Sequence, residues 1–354
     1  MIRVGILGCG KMGRVYTDWF SRNPDSKVCA FYNRTREKAE KLSSKHEGSV
    51  VFADWEEMIA SPDVDLIGIC TPSHQHKEQF IAAINSGKHV LCEKPMANDV
   101  NDCRSMLEAA EGSGSKAMVG FQMRFHPVVE RVGELLKTMG SIQVIESQLS
   151  MYRPEVTWKH KLDQGGGAMK ELSSHLIDMM RKWCGEVLSV SSQNIIFQEG
   201  REVEDYSLTC LSFENGAFGS INTNYLNRNK SLIKGSLICT GGQIDFQFSS
   251  YDPADSLVFI VKDEERISVP IESSGFVDSV YPGHMDSFKK EIDYFIDAII
   301  NDRDTIVSIE NGVRSLEVID ASYVSSMERK EVHLPLETFD IGRLAESFTK
   351  YKNL

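Results

Sequence analysis

The sequence predicts an α/β fold over its first third and an α+β domain after it, and three observations support this. Up to about residue 122, apolar runs rich in β-branched residues alternate with stretches of helical spacing. Beyond that point, one long helical stretch precedes a series of strand-like runs that turn residues separate. The 354 residues, 41% of them apolar, are enough for two domains that each have a core.

The first third predicts a parallel sheet with helices on both faces. Its strand candidates are continuously apolar, which is typical of strands that are buried on both sides. The alternation of strands and helices implies parallel strands joined by right-handed crossovers. The predicted strands span residues 2–8, 27–33, 66–72, 88–95 and 116–122, and the predicted helices span 11–23, 36–46, 76–87 and 100–113.

The part after residue 122 predicts a mostly antiparallel, open sheet. A helix over Ala168–Cys184 comes first, and the runs after it contain two hairpin turns, "ENGA" at 214–217 and "TGGQ" at 240–243. We therefore expect domains at 1–122 and 123–337, with an added helix or a tail at 338–354. The strand candidates span 186–198, 206–225, 231–248 and 256–271, and two further helices span 285–301 and 312–329.

The composition disfavours several classes of function. The net charge of -12, with acidic and basic residues interleaved, disfavours nonspecific binding to nucleic acids or anionic membranes. No apolar run is long enough to span a membrane, and no signal peptide precedes the first strand. The eight cysteines include no C-x-x-C pair, so we expect no metal site and reduced, buried thiols in the cytoplasm. The cysteines in strand-like runs are Cys29, Cys70, Cys92, Cys210 and Cys239.

The stretch "GILGCGKMG" predicts a dinucleotide-binding, Rossmann-type turn. Gly8, Gly10 and Gly13 form G-x-G-x-x-G between a strand and a helix. The first glycine permits the turn, the second lets the backbone approach a pyrophosphate, and the third lets the helix pack closely. The helix N-terminus then favours the anion. The alternative is a tight strand-to-helix turn that binds nothing.

The end of the second predicted strand favours NADP over NAD. An acidic residue is expected there if the site binds the ribose 2′-hydroxyl of NAD. This chain has Asn33 instead, followed by Arg34 and Arg36. A neutral amide does not repel a 2′-phosphate, and an arginine can bind it through two hydrogen bonds. In the alternative interpretation Arg34 stacks on adenine, which both cofactors allow.

The stretch "CEKP" ends the strand candidate at 88–95 and contains a candidate catalytic lysine. Ligands of open parallel sheets bind outside the carboxyl ends of the strands. Lys94 therefore lies where a nicotinamide and a substrate would meet, and its ammonium can stabilise a developing alkoxide. Pro95 fixes the backbone of the turn. The alternative is a surface lysine in a loop.

The predicted helix at 168–184 contains a candidate proton-transfer pair. Glu171 and His175 are four residues apart and share a helical face, with Asp178 on the same side. A histidine beside a carboxylate suits proton transfer near neutral pH. The alternative is a helix histidine with a purely structural role. We expect Asp178 and Arg181, one turn apart, to pair on the helix surface.

Through these motifs the sequence resembles the Gfo/Idh/MocA family, named after glucose–fructose oxidoreductase, inositol dehydrogenase and the rhizopine catabolism protein. The matching segments run in the same order over most of residues 1–335. The combination of "EKP" with a G-G-x(4)-[D/E]-x(3)-H helix is specific to it. The segments are "GILGCGKMG", "GICTPSHQHKEQFIAAINSGKHVLCEKPMA", "VGFQMRFHP", "GGGAMKELSSHLIDMMRKWCG" and "SFKKEIDYFIDAI".

The resemblance implies a reversible hydride transfer between NADP or NAD and a secondary alcohol of a sugar, an inositol or a nucleotide sugar. Lys94 matches the family's catalytic lysine, and His175 matches its general acid/base. Glu171 falls where many members have aspartate and completes the implied catalytic set. The resemblance also implies a homodimer or a homotetramer, built through the outer face of the second domain's sheet.

The family pattern implies further binding residues. Arg124 in "GFQMRF" corresponds to a residue of the nicotinamide–substrate cleft, and the loop "TPSHQH" corresponds to one beside the cofactor. His76 in that loop is also explained as a helix cap. The implied cofactor-binding residues are Gly8, Gly10, Lys11, Met12, Gly13, Asn33, Arg34, Thr71, Pro72, Ser73, His76, Glu93, Lys94 and Arg124. The implied substrate-binding residues are Lys94, Arg124, Trp158, Glu171, His175 and Tyr281.

Two other functions stay open at the level of sequence. Some glycosidases of this family use bound NAD transiently, and such an enzyme would cleave a glycoside without net cofactor turnover. A cofactor-binding regulator is the other alternative, although such a protein has no reason to keep both Lys94 and His175.

Overall fold

The structure, a computed structural model, describes residues 1–152, 157–275, 278–340 and 342–344. The chain divides into two compact units. The first consists of residues 1–122 and 288–313, and the second consists of residues 123–287 and the described residues from 314 onward. Each unit has its own sheet.

The described part of the first unit contains a six-stranded parallel sheet in the order β3-β2-β1-β4-β5-β6. The chain reverses direction across the sheet between β1 and β4, so a crevice opens beside the ends of these two strands. This architecture confirms the predicted α/β class. The strands are β1 Ile2–Leu7, β2 Ser26–Tyr32, β3 Val50–Val51, β4 Leu66–Ile69, β5 His89–Glu93 and β6 Ala117–Gly120.

Helices connect these strands at the predicted places. Each turns a buried apolar stripe toward the sheet; in the first helix this stripe includes Val15, Tyr16, Trp19 and Phe20. The sequence did not predict β3 or the short helix after it, because both are too brief to give a periodic signal. The helices are α1 Lys11–Arg22, α2 Arg36–Ser43, α3 Trp55–Ala60, α4 His76–Asn85 and α5 Val100–Ala110.

A later segment completes the first unit. Helix α8, Ser287–Ile300, packs Phe288 edge-on against Tyr16 at 6.1 Å between ring centroids. Asn23 donates to Asp293 Oδ1 at 2.7 Å. Residues 288–313 therefore pack with the first unit, whereas the predicted domain 123–337 includes them. The boundaries 1–122, 123–337 and 338–354 stay predictions, and most of the last range lies outside the described residues.

The described part of the second unit has a nine-stranded sheet in the order β14-β13-β12-β11-β7-β10-β9-β8-β15. Every pairing in it is antiparallel except the one between β7 and β10, which confirms the mostly antiparallel sheet. Both predicted hairpin turns are present. The strands are β7 Ile142–Ser150, β8 Val187–Ile195, β9 Tyr206–Phe213, β10 Phe218–Asn224, β11 Leu232–Cys239, β12 Gly242–Phe248, β13 Leu257–Lys262, β14 Glu265–Val269 and β15 Val332–His333.

The helices of the second unit include one that differs from its prediction. The predicted continuous helix at 168–184 begins instead as a π-helical turn, Met169–Ser173, and continues as α7, Ser174–Cys184. Helix α6, Pro127–Leu136, was not predicted, and neither was β7. Helix α9, Ile309–Glu328, lies near its predicted place, and its residues from 314 onward belong to the second unit.

The cysteines are unpaired, as expected, but they are not all buried. Cys92 and Cys239 are buried, whereas Cys29, Cys70 and Cys210 are half-buried. No helix in the described ranges is long and apolar enough to cross a bilayer.

Candidate functional site

The glycine turn after β1 has the geometry that its motif requires. Gly8 adopts a φ of +92°, and a Cβ there would lie 2.7 Å from the carbonyl carbon of Cys70. A Cβ at Gly13 would lie 1.9 Å from the Gly8 carbonyl oxygen. At Gly10, by contrast, a Cβ would meet nothing within 4 Å. The first and third glycines are thus required by packing, and the second borders open space.

The start of α1 fits an anion. Gly10 is its N-cap residue and offers no side-chain cap, and the first turn contains no acidic residue. The first N–H groups of a helix have no acceptor within the helix and carry partial positive charge. Lys11 is exposed and Met12 is half-buried in this turn. The open space at Gly10 and this helix end fit the pyrophosphate of a dinucleotide.

Asn33 ties the glycine turn to the end of β2. Its Oδ1 accepts the Cys9 N–H at 2.9 Å, and its Nδ2 donates to the Thr35 carbonyl at 2.8 Å. Arg36 is paired with Glu40 at 2.8 Å. Arg34 is exposed and forms no salt bridge within the described residues. Of the two predicted cations, Arg34 is therefore the one available to a ligand.

The loop after β4 is tied to the loop after β5 by His76. His76 is 1% exposed, and its Nε2 faces the Thr71 carbonyl at 2.7 Å. Its Nδ1 faces the carbonyls of Pro95 and Met96 at 3.1 and 3.3 Å. Burial lowers the pKa of His76, and these carbonyls oppose that shift. His76 therefore holds two loops together rather than capping α4.

The neighbours of His76 in this loop are also fixed by packing. Thr71 donates through Oγ1 to Gln79 Oε1 at 2.6 Å. Pro72 is half-buried, and Ser73 is 2% exposed. The predicted loop thus lies at the carboxyl end of β4, beside the crevice next to β1.

Lys94 lies at the carboxyl end of β5, as predicted. Its backbone N–H donates to Glu93 Oε2 at 3.0 Å, and the Lys94–Pro95 peptide is cis. The lysine side chain is half-buried, whereas Glu93 is buried. Since the strands are parallel, Lys94, the glycine turn and Thr71 all lie at one edge of the sheet.

In the second unit, Glu171 lies in the π-helical turn and is paired with a lysine that the sequence analysis did not single out. Glu171 is 5% exposed, and its Oε2 accepts a hydrogen bond from Lys159 Nζ. The same ammonium lies 5.3 Å from the centre of the Trp158 ring. Trp158 itself is half-buried in a short 3₁₀ turn. No spacing rule links a lysine to a glutamate across the intervening glycines.

His175 lies in the first turn of α7 and is 6% exposed. The π-helical turn before it is bonded from i to i+5, so the four-residue spacing from Glu171 does not follow an α-helical face there. This is a departure from the geometry that the sequence predicts.

Glu204 fixes the beginning of this helical segment. Its carboxylate is fully buried and accepts the Met169 N–H at 2.7 Å, while its backbone carbonyl accepts the Ala168 N–H at 3.2 Å. Tyr323 donates to Glu204 Oε1 at 3.1 Å. Burial raises the pKa of Glu204 to about 7. Gly167, with a φ of +122°, is required because a Cβ there would lie 2.6 Å from the carboxylate.

Arg124 forms an ion pair that corrects one prediction. Its Nε and Nη2 donate to the two oxygens of Asp178 at 2.7 and 2.6 Å. The predicted pair of Asp178 with Arg181 is therefore wrong. Arg181 is buried and pairs with Glu186 at 2.6 Å, because its side chain extends past the end of α7. Arg124 is thus held rigidly by a carboxylate that is 1% exposed.

Tyr281 is the remaining predicted pocket residue. Its N–H donates to Asp278 Oδ1 at 2.7 Å, and its half-buried ring lies 5.4 Å from the His284 ring. The structure thus gathers the predicted cofactor residues of the first unit at one sheet edge. In the second unit, Glu171 and His175 lie on one continuous helical segment.

Comparison with known proteins identifies the relatives of both parts of the chain. Residues 2–121 match the model of an oxidoreductase family with an NAD-binding Rossmann fold, GFO_IDH_MocA. Residues 134–334 match the C-terminal alpha/beta domain of the same family.

Two relatives that match much of the chain are named dehydrogenases. Levoglucosan dehydrogenase of Pseudarthrobacter phenanthrenivorans is 28% identical over 71% of this chain and 75% of its own length. Inositol 2-dehydrogenase of Rhizobium meliloti is 22% identical over 94% of this chain and 99% of its own length. The match spans only 66% of the length of the uncharacterized oxidoreductase YrbE of Bacillus subtilis. It spans 57% of the length of a 1-carboxy-3-chloro-3,4-dihydroxycyclohexa-1,5-diene dehydrogenase of Comamonas testosteroni.

A solved structure of levoglucosan dehydrogenase with NADH and levoglucosan has a TM-score of 0.85 to this protein. It is 22% identical and covers 95% of this chain and 100% of its own. At this identity the likeness shows the fold alone.

Proposed function

Because the chain belongs to the Gfo/Idh/MocA family of oxidoreductases, we propose that it is an NAD(P)-dependent dehydrogenase of a sugar, an inositol or a nucleotide sugar. The observation that carries the proposal is the glycine turn beside Lys94. Packing excludes a side chain at Gly8 and Gly13 but leaves open space at Gly10, at the sheet edge where Lys94 lies. Bound in this crevice, a nicotinamide dinucleotide supplies the hydride acceptor or donor.

The proposed chemistry at the alcohol uses three residues. Lys94 binds the reacting oxygen through its ammonium and stabilises the negative charge that develops there. During oxidation, His175 removes the hydroxyl proton with its imidazole; during reduction, it returns that proton. Glu171, held by Lys159, orients this pair. We assign Arg124, Trp158 and Tyr281 to substrate binding.

We further propose a preference for NADP. Arg34 is exposed and forms no salt bridge within the described residues, so its guanidinium can bind a 2′-phosphate. The Asn33 side chain has no negative charge that would repel a phosphate. Its amide nitrogen also has a second hydrogen, besides the one donated to Thr35, for the same ligand.

We also propose a homodimer or a homotetramer that forms through the open face of the second sheet. Phe218, Val144 and Ile238 lie side by side in register across β10, β7 and β11. Phe218 is 48% exposed and Ile238 is 40% exposed. An apolar stripe of this kind is typical of a surface that another protein covers.

A dehydrogenase screen tests the proposed function. The purified protein is incubated with NADP⁺ or NAD⁺ and a panel of polyols, sugars and nucleotide sugars, and the absorbance of the reduced nicotinamide is followed. We expect turnover with at least one secondary alcohol of this class and a higher kcat/KM with NADP⁺. Cleavage of nitrophenyl glycosides without net reduction would instead support the glycosidase alternative.

A further inference from the structure

A buried cluster next to Lys94 contains ionisable groups that the proposed chemistry does not use. It consists of Tyr16 in α1, Glu93 at the end of β5 and Glu291 in α8, all in the first unit. Tyr16 and Glu291 are fully buried, and Glu93 is 5% exposed. Two carboxyl groups thus lie in an apolar interior, where charge is costly.

Contacts connect the three side chains to the lysine. Tyr16 Oη donates to Glu291 Oε2 at 3.2 Å. A Cβ at Gly120 would lie 2.6 Å from Tyr16 Oη and 3.4 Å from Glu93 Oε1, so both groups face the same point beside β6. The other oxygen of Glu93 accepts the Lys94 N–H. A path therefore leads from Glu291 through Tyr16 and Glu93 to the lysine.

The surroundings of Glu291 favour its neutral form. Its Oε1 is buried and has no hydrogen-bond partner within the described residues. An ionised oxygen in this position would lose its hydration without compensation. Burial, and then the charge of Glu93, raises the pKa of Glu291 well above its ordinary value.

The other ionisable groups that face the cluster are neutral at neutral pH. Burial raises the pKa of Tyr16 and of the thiols Cys70 and Cys92 well above their ordinary values. Lys94 is the adjacent cation along the chain. Glu93 is the carboxyl of the cluster that lies next to this cation, and its Oε2 accepts the Lys94 N–H.

We propose that Glu291 is a neutral carboxylic acid in the folded protein and that Glu291, Tyr16 and Glu93 are positioning residues for Lys94. One charge remains, on Glu93, and it is directed at the Lys94 peptide N–H. Tyr16 connects this arrangement to α1, which begins at the glycine turn. The inference rests on the proposed function, because it takes Lys94 as the group that binds the reacting oxygen.

Infrared difference spectroscopy tests the protonation without any need for turnover. Wild-type protein and Glu291→Gln are compared at neutral pH in H₂O and D₂O. We expect the difference between the two spectra to contain a protonated-carboxyl band that shifts in D₂O; the band of Glu204, whose pKa is about 7, is present in both proteins and cancels. Glu47→Gln, which changes an exposed carboxylate, is the matched control and keeps the band. Survival of the full band in Glu291→Gln would overturn the inference.

Kinetics test the positioning role. Glu93→Gln removes a charge-assisted hydrogen bond, so we expect kcat to fall by about tenfold or more while the KM for the alcohol changes by less than about threefold. Glu291→Leu, which removes the acceptor of Tyr16, lowers kcat as well, and Glu291→Gln restores most of it. If Glu93→Gln does not fold, Glu93→Asp replaces it; the charge is kept but the shorter side chain moves the acceptor away from the Lys94 N–H, so kcat should fall there too.

Two outcomes contradict the positioning role. One is an equal loss of kcat in Glu291→Gln and Glu291→Leu, which would mean that Glu291 works as an anion. The other is failure of Glu291→Gln to fold, because a neutral isostere should be tolerated. If no substrate is turned over at all, the proposed function fails, but the infrared band still decides whether Glu291 is neutral.

Discussion

At the scale of single residues, the proposed preference for NADP depends on the end of β2. The Asn33 amide is engaged by backbone groups of the glycine turn and of Thr35. It therefore holds the turn in place, a role that the sequence did not predict. Of the two arginines after it, Arg36 is paired with Glu40, which leaves Arg34 for the ligand.

We predict that Arg34→Ala lowers kcat/KM for NADP⁺ by about tenfold, since a charge-assisted hydrogen bond of about 1.5 kcal/mol or more is lost. The value for NAD⁺ should change by less than about twofold. Steady-state kinetics with both cofactors provide the measurement, and Arg36→Ala is the matched control. Equal losses for the two cofactors would support stacking on adenine instead.

Residue pairs distant in sequence were the hardest to predict. Asp178 and Arg181 satisfy a helical spacing, yet Asp178 binds Arg124 and Arg181 binds Glu186. Burial decides the outcome, because a carboxylate that is 1% exposed needs a bidentate partner. Likewise, the lysine that binds Glu171 is twelve residues away, and only the folded chain brings it close.

At the scale of elements, the beginning of the helical segment with Glu171 and His175 depends on Glu204. This carboxyl accepts the Met169 N–H and lies against Gly167, whose φ of +122° favours glycine. The sequence indicated a glycine-rich start to the helix, but it could not indicate which distant side chain required it. The π-helical turn also has no signal in the pattern.

We predict that Glu204 makes the stability of the fold depend on pH. Burial raises the pKa of its carboxyl from 4.5 to about 7. The folded state binds this proton more tightly than the unfolded state. The stabilisation that comes from this tighter proton binding is therefore complete below about pH 4.5. It is lost as the pH rises through about 7, which lowers the free energy of unfolding by about 3 kcal/mol.

Urea denaturation over this pH range measures the effect. Glu204→Gln cannot ionise, so the difference in unfolding free energy between it and the wild type should vary with pH in this window. Glu199→Gln, which removes an exposed carboxylate from the same part of the chain, should show no such variation. A constant difference for Glu204→Gln would refute the assignment.

Elements with a strong period were predictable, and short or polar ones were not. The strands β1, β2, β4, β5 and β6 and the helices between them follow from apolar runs and helical spacing. Strand β3 has two residues, and α3 has six, so neither gives a periodic signal. Strand β7 is an exception: its burial alternates, yet it was not predicted, and its parallel pairing with β10 depends on tertiary contacts.

At the scale of the whole molecule, the order of segments along the sequence differs from their grouping into compact units. Residues 288–313 belong to the first compact unit although they follow the second sheet in the sequence. Tyr16, Phe288 and Glu291 make the contacts that hold α8 there. No local sequence pattern predicts that a later segment packs with the first unit, because this depends on tertiary contacts of the helix.

We predict that assembly depends on the stripe of Phe218, Val144 and Ile238. Phe218→Glu places a charge on this face and should convert the proposed dimer or tetramer to a smaller species. Light scattering coupled to size-exclusion chromatography measures the mass, and Glu214→Gln in the nearby exposed turn is the control. An unchanged mass for Phe218→Glu would place the interface elsewhere.

The central claim is that Lys94 and His175 act on the same oxygen of a secondary alcohol. Its most direct test is kinetic measurement of Lys94→Ala and His175→Ala on a substrate from the screen, together with titration of NADPH binding. We predict that each variant loses at least about a hundredfold in kcat. NADPH should still bind to both within about threefold of wild type, since the glycine turn is intact. Near-normal turnover in either variant would contradict the account.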